Sequence, residues 1–427
     1  MRFHTIIMSM FLIFIMSSFH QLALAQTNDD YLAIYESATE NGFLPGSRSA
    51  GMGGAQIAAG NDGSVLWYNP ALLTRLRKSE FSATLSHQKL KNNTALISGN
   101  TFNNDVGNTR LAGLWGIYSV PVDQGGLAFG LSINRIKSFD KIFRYASDQN
   151  WFNQIGTIDG WGGGEDEKGG LWSYSFGGAI EISPRASLGL SVDILDGNDD
   201  WAYFFDSTYT PAVYQYHYDH SISDDYAGIT GKLGASYNVN DYLSLGAVVG
   251  FPTRLKIEQS SIISEFDSDG FDDTDQSFSK YSYTLPFWFG GGAALTIGDL
   301  TLAADMTYQD YSQIEYRSGF SDLAYYNRLA KNTYDGKFNF RVGGEYFLRP
   351  AGLKLRAGYY QEPIPYQGLP IETDPRYLTL GAGLILDRAV SLDIAYLSGL
   401  WEKDDPSIGS SEKYDIRRLL ISLSFKL

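Results

Sequence analysis

Arg254 and Lys256 stand two residues apart in a stretch, 241–258, whose apolar residues recur at every second position. Leu243, Leu245, Val249 and Phe251 share one parity, so on a strand the two cations project from the opposite face. Arg341 relates in the same way to the apolar parity of a later stretch, 336–348. Guanidinium and ammonium groups on an inward face would suit a carboxylate, because charge-assisted hydrogen bonds are the strong ones. Glu258 competes for the first pair from the same face. Mutual pairing in a wet interior is the plainer account of most other polar-face charges, among them Glu181, Asp193, Lys232, Asp305, Glu345, Lys354, Arg356, Asp393, Arg418 and Lys426.

Two further clusters have chemical character. Residues 196–225 hold Trp201, Tyr203, Phe204, Phe205, Tyr209, Val213 and Tyr214, with seven acidic residues and no Lys or Arg. Exposed aromatics of this kind form either an apolar landing groove or the loop's own core. Asp267, Asp269, Asp272, Asp273 and Asp275 surround Gly270. Clustered carboxylates suit calcium, although the distal bidentate Glu of an EF-hand is absent and a solvated acidic loop serves equally.

No catalytic set accompanies them, so the chain reads as a non-enzyme. Beyond residue 25 only His87, His217 and His220 occur, with no G-x-S-x-G elbow and no phosphate-binding glycine loop leading into a helix. There are no cysteines, which excludes disulfides, a thiol nucleophile and a lipidated N-terminal cysteine. A formal charge of −15 disfavours nucleic acid as a partner. No cofactor is expected apart from a structural calcium in the acidic loop.

The elements that must position these residues are strands. Leu419, Ile421, Leu423, Phe425 and Leu427 alternate with Arg418, Leu420, Ser422, Ser424 and Lys426 at the C-terminus. Leu127, Phe129, Leu131 and Ile133 alternate with Ala128, Gly130, Ser132 and Asn134. Similar alternation predicts about fourteen strands, near 79–90, 109–120, 126–137, 171–183, 186–195, 226–239, 241–258, 278–296, 299–315, 336–348, 353–361, 375–386, 389–400 and 416–427. Short connections, such as Ser183-Pro184-Arg185 and Val239-Asn240, alternate with long ones, near 91–108, 138–170, 196–225, 259–277, 316–335, 362–374 and 401–415. Mean hydropathy is only −0.19, because lipid-facing and lumen-facing residues cancel. The fold class is thus all-β: a transmembrane antiparallel barrel of about fourteen strands. Pro252 and Pro286 interrupt two strands and mark bulges or outer strand ends. Gly290-Gly291-Gly292 lets a strand curve or the plug approach the wall.

The N-terminus divides differently. Arg2 and His4, the apolar stretch Ile6 to Met16, and Ala23-Leu24-Ala25 before Gln26 read as a signal peptide over 1–25. Residues 26–78 read as a plug, or hatch, and 79–427 as the barrel. Within the hatch lie Arg48-Ser49-Ala50-Gly51-Met52-Gly53-Gly54-Ala55, then Asn61-Asp62-Gly63-Ser64, then Asn69-Pro70-Ala71. Small residues let a backbone fold tightly within a lumen, and Asn-Pro fixes a turn while removing one N–H.

This segment resembles the hatch of the FadL family of outer-membrane hydrophobic-compound transporters, where a small-residue run, an Asp-Ala-Ser-like turn and Asn-Pro-Ala precede the first strand. Gly63 and Leu72 depart from that pattern and leave subfamily and substrate open. The resemblance implies a bacterial outer-membrane location and passive transport of long-chain fatty acids or hydrocarbons. It also implies aromatic outer loops that capture ligand, Gly51, Met52, Gly53, Gly54, Asn69, Pro70 and Ala71 in a hatch that rearranges, and sideways exit near a kinked third strand into membrane lipid. Here the third strand follows Gly125-Gly126 and contains Gly130, where a break is expected. The alternative is a FadL-like scaffold that receives a secreted protein. A continuous apolar lumen would favour transport, and a fully charged one the scaffold.

Overall fold

The computed structural model describes residues 44–427, apart from 97–100, 148–150, 154–155, 211–213, 366, 368–370, 388 and 406–409. The proposed signal peptide therefore lies outside the described residues, as does the hatch before Leu44.

One antiparallel sheet closes on itself through fourteen staves. They are β1 (Glu80–Leu96), β2 (Thr101–Val120), β3 (Leu127–Ser138, continued by Lys141–Ser147 and Trp151–Asn153), β4 (Gly156–Ser183), β5 (Ala186–Thr210) and β6 (Tyr214–Asn238). Next come β7 (Leu243–Gly250 and Thr253–Asp267), β8 (Asp272–Leu285 and Trp288–Ile297) and β9 (Leu300–Asp310 and Glu315–Ser318). β10 (Gly336–Leu348), β11 (Leu353–Gln361), β12 (Ile371–Ile385), β13 (Val390–Asp405) and β14 (Ser410–Lys426) complete the wall. β14 pairs back onto β1 from Glu80↔Lys426 to Leu96↔Ser410, which closes the barrel. Closure leaves no free edge strand, so each stave has a hydrogen-bonded neighbour on both sides over at least part of its length.

The period-two pattern explains the orientation. On β14 Leu419, Ile421, Leu423 and Phe425 are exposed, while Arg418, Leu420, Ser422 and Ser424 are buried inward. The same outward belt continues through Phe129 and Leu131 on β3 and Leu190, Val192 and Ile194 on β5. No helix among the described residues is long and apolar enough to cross a membrane. Spanning is done by strands.

The expected long loops are mostly strand. β4 and β5 run for 28 and 25 residues, far beyond the ~25 Å apolar band that about ten tilted residues cross. Alternation is weak in these extensions because water, not lipid, meets the outer face. The pattern therefore vanishes where the ladder continues. Helix α3 (Leu323–Thr333) lies in the β9–β10 connection, and the β11–β12 connection is irregular where described.

Candidate functional site

The hatch occupies the inner lumen. α1 (Ser47–Gly51) leads through a turn to α2 (Val65–Tyr68) and a 3-10 helix, Pro70–Arg75. Gly53 and Gly54 adopt φ of 61° and 75°, which a side chain would resist, and so turn the chain after α1. The Asn69 carboxamide oxygen accepts from Ala71 N at 3.1 Å, while its Nδ2 donates to Ile57 O at 2.8 Å and Ala235 O at 3.0 Å. One side chain thus caps the 3-10 helix, holds the hatch to itself and ties it to β6. Pro70 follows at the first helical position, where a missing N–H costs nothing. Residues 46–73 are almost wholly buried, with Gly51, Met52, Asn69 and Ala71 among them.

Wall charges seat this segment. Arg48 Nε lies 3.2 Å from Glu345 Oε2, which Arg356 Nε also reaches at 2.7 Å. Arg356 Nη1 contacts Asp393 at 2.6 Å. Asp305 accepts from Ile57 N at 2.7 Å and Glu80 from Gly63 N at 2.9 Å. Lys232 pairs with Asp193 at 3.0 Å, its Nζ 4.1 Å from the centre of the Trp67 ring. Gly290 and Gly292 face Ile57, so the glycine run on β8 admits the plug to the wall. Arg341 also faces inward, opposite Asp305 in register, with its Cδ beside Gly54.

Above the hatch the lumen changes character. Leu195, Tyr226, Leu255, Ile257, Tyr283 and Leu285 are buried on its inner face. Leu255 reaches across Gly228 toward Leu195, and Tyr283 meets Tyr316 edge-on at 6.1 Å. Phe139, projecting from the break in β3, stacks on Tyr226 at 5.7 Å. Charged side chains are buried at this height as well, among them Arg135, Lys137, Asp140, Glu167 and Asp224, with Lys137 Nζ 5.1 Å from the centre of the Phe139 ring, so the outer lumen is mixed and neither wholly apolar nor fully charged.

This corrects the expectation for Arg254 and Lys256. Both are exposed on the outer face. Phe251-Pro252 and Pro286-Phe287 are opposed breaks, with pairing continuous from Gly250↔Trp288 below and Thr253↔Leu285 above. Phe251 and Phe287 face out, yet Thr253, Leu255, Tyr283 and Leu285 face in. Each break reverses parity, as an irregular residue in a period-two chain must. Sequence reasoning missed Leu255 and Ile257 for the same reason, although Pro252 marked the place.

The third strand also departs from expectation. Gly130 lies in a continuous ladder between Ile117 of β2 and Gly177 of β4. The break falls higher, at Phe139-Asp140. β2–β3 pairing stops at Gly113↔Asn134, and no ladder joins β2 to the outer pieces of β3 among the described residues. Side chains span this seam instead. Arg110 clasps Asp140 at 2.7 and 3.2 Å, and Asn104 Nδ2 donates to Arg144 O at 3.2 Å.

The outer β5–β6 hairpin carries the aromatic cluster. Trp201 and Tyr203 stack at 6.1 Å, His220 meets Trp201 edge-on at 5.2 Å, and Phe205 lies 6.5 Å from Tyr216. Phe204 projects from the other face, under the Arg144 guanidinium at 5.1 Å. The half-buried rings pack against one another along the hairpin. At the tip, His217 sits between Asp206 and Asp219 at 2.5 and 2.6 Å. Burial alone would lower its pKa, but the hydrogen bonds to Asp206 and Asp219 outweigh it and raise the value. A raised folded-state pKa gives stability that is complete below about 6.5, the ordinary histidine value, and is lost as pH climbs through the folded value. Limited proteolysis of the tip should therefore accelerate above that value. In His217→Gln the rate should lose its pH dependence, and an unchanged profile would refute this role.

The acidic segment does not gather into a metal site. Asp267 Oδ1 accepts from Asp269 N and Phe271 N at 2.9 and 3.0 Å, closing a turn. Asp272, Asp273 and Asp275 then run along β8, where successive side chains point to opposite faces. Among the described residues no three acidic, His or Cys side chains are placed to share a metal ion.

Solved structures share this architecture. The chain is similar to the Pseudomonas putida toluene transporter TodX at 16% identity, covering 90% of this chain and 98% of that one, with a TM-score of 0.67. It is similar to a Pseudomonas aeruginosa FadL homologue at 16% identity, 90% and 98% coverage and TM-score 0.62. The CymD monoaromatic hydrocarbon channel gives 15% identity, 91% and 99% coverage and TM-score 0.62. No family model and no curated protein matches the chain. The class defined by the fold is a FadL-type fourteen-stranded barrel with a hatch in its lumen.

Proposed function

We propose that this chain is a passive outer-membrane channel for uncharged hydrophobic small molecules, with monoaromatic hydrocarbons as the best-fitting class. The observation that carries this is the apolar shaft of Phe139, Tyr226, Leu255, Ile257 and Tyr283 between the aromatic outer hairpin and the hatch. Burying a hydrocarbon there removes apolar surface from water without desolvating a charge. A fatty-acid carboxylate would need a cation. Of the three expected to meet it, Arg254 and Lys256 face away and Arg341 is buried against the hatch with its Cδ beside Gly54, while Arg48, Arg356 and Lys232 are already paired with carboxylates. TodX and CymD, named for toluene and monoaromatic hydrocarbons, supply a concordant analogy from the same fold. The unladdered β2–β3 seam, bridged by Arg110 and Asp140, is the proposed sideways exit into lipid.

Uptake of labelled toluene and labelled palmitate by vesicles bearing the refolded chain tests this reading. Toluene should enter faster than in empty vesicles, and palmitate should not. Ile257→Trp, which narrows the shaft, should slow toluene by roughly tenfold, equivalent to ~1.4 kcal/mol. Faster palmitate than toluene, or indifference to the tryptophan, would overturn it.

A further inference from the structure

We infer that Arg254 and Lys256 form a docking site for the headgroup phosphate of an outer-leaflet lipid whose acyl chains lie on the aromatic belt beneath them. The two side chains share the outer face of β7, two residues apart, and both are exposed. Neither forms an ion pair among the described residues. On that face Glu258 holds Lys280 at 2.8 Å and Glu315 holds Arg317 at 2.6 Å, while Asp225, exposed opposite Glu258 on β6, is paired with neither cation.

Their height identifies the occupant. The outer face below the proline breaks is apolar. Phe251 and Phe287 meet edge-on at 6.3 Å, and Phe287 stacks with Phe289 at 6.5 Å. All three are exposed outward. In register, Arg254 lies opposite Thr284, three residues above Phe287 on the neighbouring strand. The parity reversal at Pro252 thus removes two charges from the lumen and sets them directly above a lipid-facing aromatic trio. Aromatic rings settle at the membrane–water interface, and basic side chains just beyond it meet anionic headgroups. A phosphate accepts from a guanidinium and an ammonium at once, while its acyl chains cover the rings. A soluble anion would use only the cations.

The inference rests on the barrel being embedded in a membrane, not on what passes through it. Native mass spectrometry of the full chain in detergent, titrated with phosphatidic acid and with phosphatidylcholine, tests it. Phosphatidic acid should bind preferentially. The double variant R254Q/K256Q should weaken that binding roughly tenfold, the lower end for two partly exposed charge-assisted contacts. R328Q/K331Q, which removes equal charge from exposed positions on α3, should bind as the native chain does. Heat-modifiable mobility confirms that each barrel is folded, and toluene uptake by R254Q/K256Q should equal the native rate, so either reading can fail alone. Undiminished phosphatidic acid binding by R254Q/K256Q, equal loss in R328Q/K331Q, or displacement of the lipid by equimolar inorganic phosphate would each overturn the assignment.

Discussion

Glu345→Ala is expected to unseat the hatch and open the inner lumen. Glu345 Oε2 is shared by Arg48 from the hatch and Arg356 from β11, and the side chains of all three are at most 10% exposed. Removing the carboxylate leaves Arg48 with Gln56 Oε1 at 2.9 Å and Ala59 O at 3.3 Å, both within the hatch. Arg356 keeps Asp393. The hatch thereby loses its ionic link to β10, and two buried guanidinium groups lose a counter-charge. Breaking one partner out of a buried pair costs about 3–5 kcal/mol, because the remaining charge stays desolvated. The barrel wall is laddered independently of this cluster, so the cost should fall on the hatch. Single-channel conductance should rise from a closed baseline, while heat-modifiable mobility stays native. Glu345→Gln should give an intermediate effect, since its amide oxygen can still accept one of the two hydrogen bonds. A closed, quiet barrel in Glu345→Ala would show that the cluster does not retain the hatch.

The second large effect concerns shape rather than charge. Gly234 on β6 and Gly246 on β7 face inward against the hatch backbone. A Cβ at Gly234 would overlap Asn69 Oδ1 and lie 3.0 Å from Pro70 Cδ. One at Gly246 would overlap the Ile57 carbonyl. Both clashes fall on the segment pinned by Asn69. The strands cannot retreat, because each is paired on both sides. Overpacking costs about 1–3 kcal/mol per site even where neighbouring side chains can adjust. Here the opposing atoms include backbone and a capping amide, so the double variant Gly234→Leu/Gly246→Leu should expel the hatch. Influx of a hydrophilic dye into vesicles should rise well above that of the native chain. If the lumen stays sealed in folded barrels, the close approach is tolerated and the hatch is not held by shape.

These outcomes bear on how a plugged barrel keeps its seal. Charge pairs, the Asn69 bridge and inward glycines act on different faces of one small segment. Residues 46–73 supply little apolar surface through their Gly and Ala positions, so polar links to the wall substitute for hydrophobic bulk. Val65, Leu66, Leu72 and Leu73 are the exception, packing on Ile117, Ala128 and Ala179 beneath the seam. A ligand reaching the seam would therefore meet the apolar part of the hatch, and the charged part would lie across the lumen from it.

Much of this was legible in the residues themselves. Period-two alternation on the C-terminal strand predicted which side chains meet lipid, because a strand in a bilayer has only two environments and they alternate with the pleat. The stave number and the burial of the Gly-rich segment before β1 followed from the same constraint and from side-chain volume. Tertiary structure alone decided the rest. Parity extrapolated through Pro252 placed Arg254 and Lys256 inside, but opposed breaks on β7 and β8 reverse both strands together. A bulge is a relation between two strands, and one strand's sequence does not carry it. The loops expected near 196–225 and 259–277 proved to be paired arms, since pairing beyond the bilayer needs a neighbour and not an apolar face. Likewise, the strand breaks beside Asp140 rather than at Gly130. Glycine permits a break, whereas the position of the break depends on where β2 stops pairing and where Phe139 finds Tyr226 inside the lumen.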